Sequence, residues 1–292
     1  MAEIHVVTSL KMKPPKVKFK VPYIAWPTLL LFCTAVSLWC LSFWLVQSGY
    51  MAVGWGILIN YVAAFAIFTP LHDASHRSVA RPKWINEVIG RLSSYILMSP
   101  FTAFRYVHFE HHKHTNDEHH DPDYWSGKQP MWLLPFRWVT QDIHYYFVYM
   151  RVWKRRKVAE RVETVVTFFA LWGVIIALCL SGFAFVVILL WIVPSRMAIF
   201  TLAYTFDYLP HKPHKITSAE NRFKATIIRP SPWLTPLFIY QNFHLIHHLY
   251  PTVPFYRYAD VWRQQREYLI SQGAEMRTLT GRIIEPAALA QG

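Results

Sequence analysis

The chain has 292 residues and is 53% hydrophobic and 17% aromatic, but only 16% of its residues are charged. Soluble domains have about 25% charged residues, so this composition argues against one and predicts an integral membrane protein. Its apolar runs, described next, have the length of spanning helices and predict the all-α class. The net charge of +13 is high enough for nucleic-acid binding, but the basic residues cluster next to apolar spans, as membrane topology requires. We therefore expect contact with membrane lipids and no nucleic-acid partner.

The N-terminal part of the chain predicts a basic arm followed by a transmembrane hairpin. Residues 28–46 and 50–71 contain no charged residue, and each is close to the roughly 20 apolar residues that a spanning helix needs. We place the hairpin at residues 23–71, with no cleavable signal peptide before it. The arm, residues 1–22, carries five lysines directly before the first span: Lys11, Lys13, Lys16, Lys18 and Lys20.

A second transmembrane hairpin is predicted at residues 164–206. Residues 164–195 contain no charge and are too long for one helix, so we expect a turn at Ser181–Gly182 and a last helix that continues past Arg196 to about Phe206. Between the hairpins lies a cytoplasmic or interfacial segment, residues 72–163. Within it, residues 84–104 are moderately apolar but include Glu87, Arg91 and Pro100, which favours an interfacial or re-entrant helix over a span.

The remaining segments are predicted to lie on the cytoplasmic side. Residues 207–271 form a cytoplasmic cap, and residues 272–292 a poorly packed tail. The two predicted outer turns, at residues 47–49 and 181–182, contain no lysine or arginine, whereas the other connections are basic. The positive-inside rule therefore predicts both termini in the cytoplasm.

Nine of the 15 histidines form three clusters and one outlier. The clusters read HDASH (72–76), HFEHH (108–112) and HLIHH (244–248), and residues at i, i+3 and i+4 share one helix face. Imidazole binds Zn, Cu, Fe and Ni, and nine imidazoles exceed the four ligands of a tetrahedral zinc, so we predict two metals. The candidate ligands are His72, His76, His108, His111, His112, His211, His244, His247 and His248.

Carboxylates near these clusters are candidates for orienting the histidines. Ligating histidines usually donate their second N–H to a carboxylate or carbonyl. Asp207, four residues before His211, is expected closer to a metal, which it would reach directly or through water. The other candidates are Asp73, Glu110, Asp121 and Asp123.

This set of motifs resembles the membrane fatty-acid desaturase and hydroxylase superfamily, over roughly residues 50–257. The resemblance implies a four-helix membrane enzyme with a non-haem di-iron centre held by the nine histidines, and a catalytic role for Asp207. Within the superfamily the chain looks most like bacterial β-carotene ring hydroxylases, on the strings HDASH, HFEHHKHTNDEHHDPDYW, FDYLPHKPH and NFHLIHHLYPTVPFYRY. The chain departs from many acyl desaturases in having three residues rather than four inside the first box and Asp207 instead of Asn.

The resemblance implies O2-dependent oxidation of a C–H bond, with hydroxylation favoured, on a long lipophilic substrate that enters from the bilayer and is of carotenoid type. Two electrons are needed per turnover. The sequence has no CxxCH haem motif and no cysteine set for an iron–sulfur cluster, so an external donor such as ferredoxin or a cytochrome is implied. A basic run either docks that acidic carrier or contacts lipid: Arg151, Lys154, Arg155, Arg156 and Lys157.

Several alternatives remain open at this point. The nearest is fatty-acyl desaturation, hydroxylation or decarboxylation by the same chemistry. An intramembrane zinc hydrolase would use HExxH, but Asp73 stands where its glutamate belongs. A metal transporter would need ligands within the spans, where we place no histidine. Arg196 is expected to pair with a partner or snorkel to the interface rather than contact substrate.

Overall fold

The computed structural model describes residues 14–17 and 19–285. The predicted basic arm thus lies largely outside the described residues, including Lys11, Lys13 and Lys18. The described chain is mostly helical, as predicted, and three of its helical stretches are long and apolar enough to cross a membrane: Trp26–Gln47, Val53–Ser75 and Val158–Tyr208.

The first two helices, α1 (Trp26–Gln47) and α2 (Val53–Ser75), pack against each other. Their close approach requires a glycine, because a Cβ on Gly56 would lie 2.7 Å from a methyl of Val46. Helix α2 continues four residues past the predicted span, so His72 lies inside its last turn. Our expectation that every histidine lies outside the spans was wrong for His72, because this turn packs within the protein and its polar side chains are buried there.

Two helices, α3 (Lys83–Ile96) and α4 (Phe101–His114), replace the single interfacial helix predicted at residues 84–104. Pro100 has no N–H and restricts the residue before it, and Met98 has a φ of 58°. The backbone therefore leaves the helix before Pro100 and starts a new one after it, which directs α4 towards the histidine cluster.

Short elements connect α4 to the second apolar region. They are a 3-10 helix at Pro122–Gly127, a 3-10 turn at Met131–Leu133, α5 (Leu134–Val139), α6 (Gln141–Arg151) and a 3-10 turn at Trp153–Arg155.

The second apolar region is helical from Val158 to Tyr208 but reverses direction near its middle. Gly182 has a φ of 91° and is not helical. Ile175 and Val187 share one apolar cluster, although a straight helix would separate them by about 18 Å. The segment comprises α7 (Val158–Leu178), α8 (Ala184–Val187) and α9 (Val193–Leu202), with π-helical turns at Cys179–Phe183, Ile188–Ile192 and Ala203–Tyr208.

The C-terminal region packs around its own apolar core. Strand β1 (Ile227–Ile228) pairs in parallel with β2 (Glu275–Met276), and Met276 is buried. The start of the predicted tail is therefore well packed, contrary to our expectation, because this pairing returns the chain to the core; residues 286–292 lie outside the described part. The helices are α10 (Ser218–Asn221), α11 (Leu234–Leu237), α12 (His244–Leu249) and α13 (Tyr258–Ser271), with 3-10 turns at Gln241–Phe243 and Phe255–Arg257.

Candidate metal centre

All nine predicted histidines come together at one end of the helices, and they divide into two groups. The larger, the five-histidine group, has one ring nitrogen from each member within 4.8 Å of all the others. Its members come from the end of α2, from α4 and from α12. They are His72, His76, His108, His112 and His247.

The remaining four predicted histidines form the second group, to which the same 4.8 Å limit applies. It takes one residue from α4, two from α12 and one from the turn after Tyr208. The four-histidine group consists of His111, His211, His244 and His248.

The nitrogen spacings in both groups suit a shared metal ion. In the five-histidine group the Nε2 atoms of His72 and His247 are 2.9 Å apart, and those of His112 and His247 are 2.7 Å apart. In the four-histidine group the Nε2 atoms of His111 and His248 are 3.2 Å apart. Two nitrogens bound at about 2.1 Å from one metal lie roughly 3 Å apart when they subtend a right angle, so the donor set fits a metal in each group.

The two HxxHH helices contribute in a reciprocal way. Helix α4 gives its i and i+4 residues to the five-histidine group and its i+3 residue, His111, to the other. Helix α12 does the opposite and gives only its i+3 residue, His247, to the five-histidine group. Each helix therefore lies between the two groups and contributes to both.

Burial keeps most of these imidazoles in the neutral form that binds metal. It lowers the pKa of His76 to about 3. Burial, followed by repulsion from neighbouring imidazolium charges, also lowers the pKa of six more: His108, His112, His211, His244, His247 and His248.

His111 differs because two carboxylates face its outer nitrogen. Burial lowers the pKa of His111, but the charges of Asp121 and Asp123 outweigh burial and raise it to about 9. The Nδ1 of His111 lies 2.8 Å from an oxygen of Asp121 and 3.3 Å from one of Asp123. This is the carboxylate–histidine contact that orients metal ligands.

Two of the four predicted orienting carboxylates do not touch the predicted ligands. Asp73 accepts hydrogen bonds from the Thr28 hydroxyl and the Phe255 N–H, and Glu110 faces His114. A carboxylate beside a ligand in sequence points to the opposite side of the helix, so sequence proximity selects the wrong residues here.

Other partners of the ligands were not predicted. The Tyr258 hydroxyl is 3.0 Å from Nδ1 of His247, and the Thr115 hydroxyl is 3.4 Å from Nδ1 of His248. Tyr145 donates a 2.5 Å hydrogen bond to Asp123. Thr115 lies three residues after the second histidine cluster, which is a weak local signal. Tyr145 and Tyr258 come from helices that carry none of the nine histidines, and no spacing marks them.

An apolar cavity adjoins the five-histidine group. Phe68 stacks on His72 at 5.8 Å between ring centroids, and Phe104 stacks on His108 at 5.6 Å with nearly parallel rings. Both phenylalanines also line the cavity, which has a volume of about 50 Å³. Its apolar wall includes Phe68, Leu71, Leu97, Phe104, Ile199 and Leu202.

Polar side chains also line this cavity: Ser99, Gln141, Asp142, Tyr145 and Asp207. Asp207 belongs to neither histidine group, so among the described residues it is a cavity carboxylate rather than a member of a ligand cluster. Arg196 makes a bidentate ion pair with Asp142, with distances of 2.8 and 2.6 Å. The expected structural pairing of Arg196 is confirmed.

A broad polar cleft lies on the other side of the Asp121 carboxylate. Asp121 lines it together with two further acidic residues, Glu110 and Glu118, and with the basic residues Lys128, Arg137, Arg151 and Arg155. Two members of the predicted basic run thus lie in one cleft with a carboxylate that contacts His111.

Comparison with known proteins supplies a family assignment for this arrangement. Residues 48–280 match the model of the fatty acid desaturase family. An sn-1 oleoyl-lipid 12-desaturase from Synechocystis sp. is 25% identical over 283 residues, 88% of this chain and 80% of that protein. A β-carotene ketolase from Paracoccus sp. is 29% identical over 196 residues, which cover 65% of this chain and 71% of that protein. A dihydrorhizobitoxine desaturase from Bradyrhizobium elkanii is 27% identical over 251 residues, which cover 77% of this chain and 68% of that protein.

Proposed function

The chain belongs to the fatty acid desaturase family and is an oxidoreductase, and on that premise we propose that it is a membrane non-haem di-iron oxygenase. It oxidises a C–H bond of a long lipophilic substrate with O2. The observation that carries the proposal is the division of nine imidazoles into two adjacent groups, each with nitrogen spacings suited to one metal.

The five-histidine group would hold one iron and the four-histidine group the other. When bound, the two irons supply the O2 activation that an unreactive C–H bond requires. The protein supplies binding, orientation and exclusion of water around them. Phe68 and Phe104 orient the ligands and exclude water, because they pack on the rings of His72 and His108 and also line the proposed substrate cavity.

Asp207 is the proposed catalytic residue of the protein side. It lies at the cavity wall, close enough to Asp121 and Asp123 for their charges to act on it. A carboxyl group there holds a proton or accepts one next to the substrate, which a neutral asparagine at the same position does not do.

We propose four membrane spans in two hairpins, with both termini and the metal centre in the cytoplasm. The reversal at Gly182 supports a second hairpin. The absence of lysine and arginine from residues 47–49 and 181–182, together with the basic connections elsewhere, supports the orientation. On this arrangement the bilayer delivers the lipophilic substrate to the apolar cavity.

An external electron donor of ferredoxin or cytochrome type completes the reaction. The cleft that contains Arg151 and Arg155 is the proposed docking surface for this acidic carrier, since complementary charge speeds encounter. Its wall includes Asp121, which contacts His111, so a bound carrier would lie a short distance from the four-histidine group.

The substrate is proposed to be of carotenoid type, with hydroxylation as the outcome. A fatty-acyl substrate, undergoing desaturation, hydroxylation or decarboxylation, is the second candidate. The matches to a β-carotene ketolase and to oleoyl-lipid desaturases support one candidate each. Product analysis under O2 with β-carotene and with an oleoyl lipid, each with a ferredoxin and its reductase, separates the two.

Metal content tests the proposal first. We expect about two irons per chain after iron reconstitution of detergent-purified protein, with bound iron lost in His247→Ala and in His111→Ala, because each removes a helix-held ligand from a different group. His119→Ala is the matched control, since His119 is exposed and belongs to neither group. One metal per chain, or two that survive both substitutions, would contradict the di-iron proposal.

A further inference from the structure

Gln141 is a polar side chain in the cavity beside the five-histidine group, and the proposed chemistry does not use it. Gln141, the first residue of α6, is only 3% exposed and lines this cavity. Among the described residues neither its Nε2 nor its Oε1 has a hydrogen-bond partner at ordinary distance and angle, and the polar group near its amide is the Tyr145 hydroxyl. Buried polar atoms are nearly always paired, and leaving both atoms of an amide unpaired is costly.

Two neighbouring polar side chains of the cavity, Asp142 and Tyr145, are already engaged. Both oxygens of Asp142 accept hydrogen bonds from Arg196, and the Tyr145 hydroxyl donates to Asp123. Gln141 therefore presents an unengaged amide beside side chains that are fixed by their own partners. The rest of the cavity lining is largely aliphatic and aromatic.

We propose that Gln141 is a specificity residue, whose amide binds a hydroxyl or carbonyl oxygen of the lipophilic substrate. An amide offers N–H donors to either group and an acceptor oxygen to a hydroxyl. The enzyme therefore selects a lipophile that carries an oxygen function over a pure hydrocarbon of the same skeleton. This inference rests on the proposed function and adds the chemical class of its substrate.

The preference follows from the cost of an unmade hydrogen bond. A hydrocarbon in the cavity leaves the amide of Gln141 buried and unpaired, whereas an oxygenated substrate pairs it. A site built to hydrogen-bond its ligand rejects the analogue that lacks the group. One such bond corresponds to about tenfold in affinity.

Equilibrium binding tests the proposal without turnover. The full chain, in lipid nanodiscs and without O2 or reductant, is titrated with two pairs of radiolabelled probes. One pair is methyl oleate and the alkene with the same carbon chain; the other is β-carotene and its monoketone. We expect the oxygenated member to bind about tenfold more tightly in at least one pair, and Gln141→Leu to reduce that preference to less than about twofold.

Gln241→Leu is the matched control. Gln241 is also buried, and its amide has no hydrogen-bond partner in the described part of the chain. It does not line the cavity, so this variant should keep the preference. Absence of a preference in both pairs, or its persistence in Gln141→Leu, would overturn the proposal and leave water as the partner of the amide. Iron content is measured on the same samples, so failure of the di-iron proposal is seen separately from failure of this one.

Discussion

The five-histidine and four-histidine groups are adjacent, but their surroundings differ. Aromatic rings pack on the first, with Phe68 on His72 and Phe104 on His108, and the neutral hydroxyl of Tyr258 contacts the outer nitrogen of His247. The second is bordered by the carboxylates of Asp121 and Asp123, which contact His111. Both groups consist of histidines, but one lies in an apolar environment and the other in an acidic one.

This difference shows how one ligand type provides two unequal sites. A carboxylate partner raises the basicity of its histidine and stabilises positive charge on a metal, whereas a neutral hydroxyl does so only weakly. We expect the four-histidine group to depend on its outer partners more strongly than the five-histidine group does.

The largest effect is expected from Asp121→Asn. The substitution removes the charge beside His111 and should lower the affinity for one of the two irons by about 10- to 100-fold, with the other little changed. Chelator competition, with the two irons distinguished by Mössbauer spectroscopy, measures this. Asp117→Asn is the control, since that carboxylate contacts His119 and His120 instead. Equal weakening of both irons would remove the distinction between the groups.

A smaller effect, on stability instead of metal binding, is expected from Asp142→Asn. It leaves Arg196, whose side chain is 25% exposed, without its charged partner, and should lower the free energy of unfolding by about 2 kcal/mol, less than for a fully buried pair. Iron content should stay unchanged. Reversible unfolding in mixed micelles gives the value, with Asp260→Asn in an exposed ion pair as the control. Loss of iron in Asp142→Asn would show that carboxylates outside the His111 contact also support the metals.

The smallest effect is expected from Tyr258→Phe. Removing the hydroxyl leaves Nδ1 of His247 without that hydrogen bond, and a neutral hydrogen bond corresponds to about fivefold in affinity. Only the iron of the five-histidine group should weaken in the same chelator competition. Tyr250→Phe removes a hydroxyl that bonds the Pro15 carbonyl and should leave both irons unchanged. A loss as large as that of Asp121→Asn would mean that the hydroxyl and the carboxylate act alike.

The sequence was sufficient to single out eight of the nine candidate histidines because i, i+3 and i+4 spacing is local; the ninth, His211, has no such spacing and rested on the family resemblance. The sequence could not predict their division into two groups, since His111 and His112 are consecutive and still belong to different groups. Which face of α4 meets which face of α12 depends on the packing of distant segments. The same limit explains Asp73 and Asp121: both are near a histidine cluster in sequence, but only Asp121 meets a ligand in space.

The apolar helices were predictable from charge-free runs, but their ends were less so. Helix α2 continues to Ser75 because the protein itself buries the polar turn that a bilayer would exclude. Pro100 is a local signal for the break between α3 and α4, but our prediction of one interfacial helix over residues 84–104 did not use it. The return of β2 to the core has no local signal, because a two-residue strand depends entirely on its partner.

The long sequence separation of the ligands has a consequence for synthesis of the chain. His72 and His247 are 175 residues apart in sequence, and each histidine group takes at least one member from α12. A growing chain therefore has no complete group until α12 has left the ribosome, when all three candidate spans have already been made. Membrane insertion then precedes assembly of the centre, and an unfinished chain in the bilayer has no complete group with which to capture a metal.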